Sequence, residues 1–180
     1  MIDPPNVMKL KVCMAGEGAV GKTSLIRRYV LDEYEDRYTA TLGTKITKKT
    51  VSTKDSAGTP VSVSMILWDI MGTATLRELL KEAYYHGAQG ILAVADLTRR
   101  ETLVDLDGWA RSIRSVAGDI PTYAVLNKAD RDADRRLPHA EAEAFFRERD
   151  WPWTYTSAKT GAGVEEAFRG LVDRVLAWVL

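Results

Sequence analysis

Disulfides, membrane spans and any bias of charge are missing from this 180-residue chain. Its one cysteine, Cys13, lies in the apolar run MKLKVCMAG, so no disulfide framework can form. The thiol reads as a small buried hydrophobe in a cytoplasmic protein. Lysine plus arginine and aspartate plus glutamate each number 25, which leaves no basic excess for nucleic acid or an anionic membrane. No run approaches the about 20 apolar residues of a membrane span. The opening MIDPPNVMK lacks the charged and apolar regions of a signal peptide. Ile2 is no myristoyl acceptor and the closing RVLAWVL holds no cysteine to prenylate, so no membrane anchor is expected. The two histidines, His86 and His139, have no cysteine or carboxylate pattern around them and read as surface residues.

What is present is an alternation of short apolar runs with longer periodic segments. That is the pattern of an α/β domain, helices packed against a mostly parallel sheet. Strands are predicted at Met8–Ala15, Lys45–Lys54, Val61–Trp68, Gly90–Ala95, Thr122–Leu126 and Trp153–Tyr155. The turn-rich Asp55-Ser56-Ala57-Gly58-Thr59-Pro60 joins the second and third as a hairpin, which makes one strand antiparallel. Five helices are predicted, at Lys22–Leu31, Thr75–Tyr85, Glu101–Ala117, Pro138–Arg149 and Val164–Val179, with Pro138 at a first helical position. In the last, Val164, Ala167, Phe168, Leu171, Val172, Val175 and Leu176 form an apolar stripe. Residues 1–180 make one domain of three αβα layers, with 1–7 a flexible lead.

Gly16-Glu17-Gly18-Ala19-Val20-Gly21-Lys22-Thr23 has the P-loop spacing and stands between a predicted strand and a predicted helix. Its glycines let the backbone curl so that N–H groups converge on phosphate oxygens, and the helix N-terminus adds its positive end. Lys22 is placed to reach the β- and γ-phosphates, with Thr23 on Mg²⁺ and Ser24 beside it. This loop alone leaves ATP and GTP open. Asn127-Lys128-Ala129-Asp130 follows an apolar strand, at the sheet end where α/β proteins bind ligands. A carboxylate there accepts both the N1–H and the N2 amino group of guanine, and adenine has no donor at either place. A site built on such a pair discriminates by about 10⁴–10⁵.

With these two motifs the sequence resembles the Ras superfamily of small GTPases, a P-loop NTPase fold, over nearly its whole length. Ser157-Ala158-Lys159 resembles the family's SAK loop, whose backbone N–H meets the guanine O6 and whose lysine packs near the base. Tyr38-Thr39-Ala40-Thr41-Leu42-Gly43 resembles the first switch. The resemblance implies that Thr41 closes on Mg²⁺ and the γ-phosphate, that Tyr38 lies over the phosphates and that Tyr34 packs on the guanine. Trp68-Asp69-Ile70-Met71-Gly72-Thr73 resembles the second switch. Asp69 is then expected to hold Mg²⁺ through a water and Gly72 to bring its N–H to the γ-phosphate. Lys22, Thr41, Gly72 and Thr73 are thus the expected catalytic residues.

Two departures stand out. Ile70-Met71 replaces Thr-Ala, and Thr73 stands where most relatives have the glutamine that orients the attacking water. The Rap branch is similar in having Thr here, and slow intrinsic hydrolysis is expected. Tyr84-Tyr85-His86-Gly87-Ala88 resembles the YYRGA of Rab proteins, and Ile46, Trp68 and Tyr84 resemble their effector-facing trio. Effectors, activating proteins and exchange factors are accordingly expected at Thr39–Thr44, Ile46, Trp68 and Gly72–Tyr85, on a monomer. The Rab-like features beside DIMG are similar to archaeal Ras-like GTPases. Arg77, Arg99 and Arg100 read as solvated charge.

Overall fold

The computed structural model describes residues 7–41, 43–70 and 74–180. Its centre is a six-stranded sheet in the order β2-β3-β1-β4-β5-β6. The strands are β1 (Val7–Ala15), β2 (Thr44–Lys54), β3 (Pro60–Ile70), β4 (Gly90–Asp96), β5 (Thr122–Asn127) and β6 (Trp153–Tyr155). All neighbours run parallel except β2 against β3, as the hairpin requires. Asp55 builds that turn: its Oδ1 accepts the N–H groups of Ala57 and Thr59 at 2.9 and 2.8 Å.

Alternation along the strands sorts the core into two halves. Leu10, Val12 and Met14 of β1 face one way, where α1 (Lys22–Leu31) and α6 (Val164–Val179) cover them. Cys13 and Ala15 face the other way, toward α2 (Ala74–Tyr85), α4 (Leu106–Ala117) and α5 (His139–Glu148). The whole predicted stripe of α6 is buried, and Phe168 stacks on Tyr29 of α1 with ring centroids 4.0 Å apart. The outer strand β2 carries Lys45, Lys48, Lys49 and Lys54, charge that discourages pairing with another chain. Among the described residues no helix is long and apolar enough to cross a membrane.

Three expectations need correcting. Val7, assigned to the flexible lead, already pairs with Ser62 as the first residue of β1. Pro138 precedes α5 with extended dihedrals (φ −62°, ψ 146°) instead of opening it. The single helix predicted over Glu101–Ala117 breaks at Asp105 into α3 (Glu101–Val104) and α4, which gives six α-helices among the described residues in place of five. Near its start the Thr102 hydroxyl accepts the Asp96 N–H at 2.8 Å and donates to the Arg99 carbonyl at 2.7 Å. This ties the first turn to β4, while α4 is set by the fully buried Trp109. Asp105 stays right-handed (φ −65°, ψ −18°), and neither glycine nor proline marks the break. Ala129–Asp134 forms an additional 3₁₀ turn.

The Phe168–Tyr29 stack joins the two helices on that face. Phe168→Ala should cost about 3–5 kcal/mol of unfolding free energy in urea titration. A loss under about 1 kcal/mol would show that α1 and α6 are held by other contacts.

Candidate functional site

Four strands end on one edge of the sheet, at Ala15, Ile70, Asp96 and Asn127, and the loops that follow them meet there. The loop after β1 turns through left-handed backbone at Gly16 (φ 142°), Ala19 (φ 63°) and Gly21 (φ 102°) before α1 begins. Side chains are excluded at two of these places. A Cβ on Gly16 would collide with the Val94 carbonyl oxygen, and one on Gly21 with the Asn127 amide nitrogen. The result is a ring of backbone closing on Lys22, at the helix end where orphan N–H groups point outward.

Lys22 is only 7% exposed, and its ammonium donates to the carbonyls of Gly16 and Glu17 at 2.5 and 2.9 Å. Burial pushes it down to about 8, with the carboxylates of Asp69 and Glu17 acting in the opposite direction. Thr23, one residue on, donates to Asp69 Oδ2 and lies 2.9 Å from the Thr41 hydroxyl. Thr41 in turn donates to Asp69 Oδ2 at 3.4 Å. Three oxygen-bearing side chains from α1, the loop before β2 and the end of β3 therefore converge. Asp69 is 1% exposed, its Oδ1 is buried without a hydrogen-bond partner, and burial pushes its carboxyl upward. An orphaned carboxylate oxygen beside two hydroxyls is a donor set that fits a hard divalent cation such as Mg²⁺.

A cleft of about 570 Å³ opens over these groups, lined by Gly18, Ala19, Gly21, Lys22, Thr23, Ser24, Tyr34, Tyr38, Thr41 and Lys128, among others. Tyr38 is 65% exposed, and its hydroxyl lies over Gly18. Tyr34 is half-buried against the core. Its phenol is pushed up by burial, by Asp36 and by the nearby Asp130 carboxylate. Gly72 and Thr73 lie outside the described residues, as does Leu42.

Asn127-Lys128-Ala129-Asp130 and Ser157-Ala158-Lys159 meet behind the loop after β1. Asn127 donates to the Val20 carbonyl at 2.9 Å and accepts from Thr156 at 3.0 Å. Lys128 donates to the Ala19 carbonyl at 2.8 Å and pairs with Asp96 at 2.8 Å. Asp130 is exposed, and its Oδ1 accepts from the Ser157 hydroxyl at 2.6 Å. Ala158 is buried, and the ammonium of the more exposed Lys159 lies 3.8 Å from Asp36. Asn127, Asp130, Ser157, Ala158 and Lys159 stand outside the lining of this cleft, and so do Gly16 and Val20.

Several supporting residues escape a reading of motifs. Arg28 of α1 donates to the carbonyls of Ala158 and Lys159 at 2.8 and 2.6 Å. Arg99, expected as solvated charge, donates to the Gly18 carbonyl at 2.7 Å and pairs with Asp96. Arg77 also departs from that expectation: it lies 4.1 Å over the Trp109 ring with Nε and Nη1 buried. Trp109 itself donates to Glu17 at 2.9 Å. Arg100 does lie out in solvent, paired with Glu141. Asp96 carried a usable signal, since a carboxylate closing an otherwise apolar strand calls for a buried partner. The arginines carried none, because their roles depend on contacts distant in sequence.

Residues 11–177 match the Ras family. Ras-related protein Rab-18-B of Danio rerio is 32% identical over 177 residues, spanning 97% of this chain and 83% of that protein. Ras-related protein Rab-2B of Dictyostelium discoideum is 30% identical, over 92% of this chain and 80% of its own. Ras-related protein Rab-13 of Rattus norvegicus is also 30% identical, over 92% and 79%.

Burial works to raise the Asp96 carboxyl, but hydrogen bonds from Lys128 and Thr98 outweigh it and hold the group below its ordinary 3.8. A carboxyl depressed by folding contributes stability above its unfolded value and loses it as pH falls through the folded one. Urea titrations stepped from about pH 6 to about pH 3 should therefore show a steeper acid loss in the parent than in Asp96→Asn. Equal slopes would remove Asp96 from the acid-sensitive groups.

Proposed function

This chain belongs to the Ras family and is a GTP-binding protein that hydrolyses GTP. From that premise we propose that it is a slow, Mg²⁺-dependent switch read by effectors through its first and second switch segments. The observation that carries this reading is the meeting of Thr23, Thr41 and the orphaned Asp69 Oδ1 beside the buried Lys22. Such a cluster suits a terminal phosphate with its cation. A closed first switch needs Thr41 within reach of Thr23, as it is here.

In this assignment Gly16, Gly18, Ala19, Val20 and Gly21 wrap the phosphates, and Lys22 exchanges its carbonyl partners for phosphate oxygens. Thr23 and Thr41 would hold Mg²⁺ directly and Asp69 through a water; the ion adds positive charge to the phosphate oxygens when bound. A water attacks the γ-phosphate in line, while Lys22 and the loop amides stabilise the charge that spreads over the phosphoryl oxygens. Asp130 reads guanine, oriented by Ser157, and Tyr34 flanks the base. Loss of the γ-phosphate releases Thr41 and Gly72, the two contacts that would hold the switch shut. Ile46 is 54% exposed beside its half-buried cross-strand partner Trp68, and half-buried Tyr84 belongs to the same region. An apolar surface next to the first switch suits an effector.

Competition of ATP and GTP against a bound fluorescent GDP, with and without Mg²⁺, tests the ligand assignment. Only GTP should compete, and removing Mg²⁺ should speed GDP release. Asp130→Asn should lose guanine affinity by about 3 kcal/mol or more and bind xanthine nucleotides better than guanine ones. Unchanged GDP affinity in that variant would overturn the role given to Asp130.

The expectation of slow turnover rests on Thr73, which has a hydroxyl but not the reach of a carboxamide. Single-turnover hydrolysis should run at or below about 10⁻⁴ s⁻¹, the scale of unassisted Ras-type proteins. Thr73→Gln should raise it about tenfold, or about 1.4 kcal/mol of barrier, with GDP affinity unchanged. A fast parent and an indifferent variant would place the catalytic group elsewhere.

A further inference from the structure

Lys45 of β2 stands directly opposite Asp69 of β3 in the antiparallel register. Directly opposed residues point to the same face of the sheet, so both side chains lie on the face covered by α1. Lys45 lines the large cleft beside Thr41 and Ile70. It also lines a smaller cavity of about 140 Å³ that contains both Thr23 and Asp69. Its charge is one of those that offset the upward push of burial on the Asp69 carboxyl. Two separate cavities that meet at these oxygen ligands thus share one lysine as a wall.

Several neighbouring cations are already engaged. Arg27, the other cation in the smaller cavity, pairs with Glu33 and Glu35 at 3.1 and 3.2 Å. Lys128 pairs with Asp96, while Lys11 and Lys49 donate to the carbonyls of His86 and Tyr29. Lys45 is exposed and among the described residues forms no ion pair, so its charge acts on the Asp69 carboxyl from beyond pairing distance.

We propose that Lys45 is a resident cation at the metal site: it weakens Mg²⁺ and lets nucleotide leave at Mg²⁺ concentrations that would otherwise retain it. The inference rests on the assignment of Mg²⁺ to Thr23, Thr41 and Asp69. An ammonium on the same face of the sheet as the carboxylate repels the incoming divalent ion and partly takes its place when the ion is gone. The site then holds its negative charge balanced in both conditions. Release of nucleotide becomes less steeply dependent on the metal.

The test is the dissociation rate of a fluorescent GDP analogue, measured across a Mg²⁺ titration in the full chain. Lys45→Gln should lower the Mg²⁺ concentration at half-maximal retention by about three- to tenfold, the scale of one charge acting through partly solvated space. Lys45→Arg should leave that midpoint where it is. Raising salt from about 50 mM to about 500 mM should shrink the gap between parent and Lys45→Gln, which a purely steric effect would not do. A Lys45→Gln midpoint equal to the parent's overturns the proposal. So does a variant that binds GDP more weakly to the same extent with and without Mg²⁺, because the ammonium would then be serving the phosphates. A parent whose GDP release ignores Mg²⁺ altogether overturns the metal assignment itself, which separates the two failures.

Discussion

The side-chain amide of Asn127 is the fastening on which the site depends. It is 2% exposed, and it joins three loops by donating to Val20 and accepting from Thr156. Buried polar groups cost about 1–3 kcal/mol each when left unpaired, so these loops hold their relative positions or lose the bonds together. Gly21 completes the arrangement, because the amide nitrogen occupies the space any side chain there would need. Asp96 repeats the device one strand over, gathering Lys128, Arg99 and Thr98 around a fully buried carboxylate. Through Arg99 and Lys128 that carboxylate braces the carbonyls of Gly18 and Ala19. The curled backbone after β1 is thus held from outside as well as by its own glycines.

Most of this architecture was legible because local signals agreed with one another. The stripe on α6 repeats at three and four residues, and all seven of its members are buried. The hairpin was legible from Asp55 and Gly58, the strands from runs that alternate between the two halves of the core. Where the reading failed, the determining contact lay far off in the chain. The break at Asp105 is an exception, since that residue keeps right-handed helical dihedrals and leaves no mark in helix periodicity. Arg28 joins Ala158 across 130 positions, and Arg99 joins Gly18 across 81. No spacing rule reaches so far, whereas the P-loop and its lysine are contiguous and therefore visible.

The two ends of the sheet edge carry different burdens. On the β1–β5 side the loops are tied by buried amides and ion pairs, which suits a pocket that must keep one shape. On the β2–β3 side the contacts around Asp69 are hydroxyl bonds from Thr23 and Thr41, and the Tyr38 ring is largely in solvent. Contacts of that kind are readily made and broken. A rigid half beside a loosely latched half is the mechanical requirement of a protein that reports the length of a phosphate chain.

The short bond from Ser157 to Asp130 has a consequence for the cost of recognition. An exposed carboxylate ordinarily turns freely, and freezing such a side chain on association costs about 0.5–1.5 kcal/mol. With Asp130 as the proposed guanine-reading carboxylate, the serine holds the rotor before the base arrives, and the serine itself is held by its own N–H on Ala162 and by the Thr160 N–H on its hydroxyl. That entropy is lost once, during folding, and is drawn from the stability of the domain. Each later encounter with a ligand meets a receptor that is already aligned, so a tight complex need not be a slow one to form.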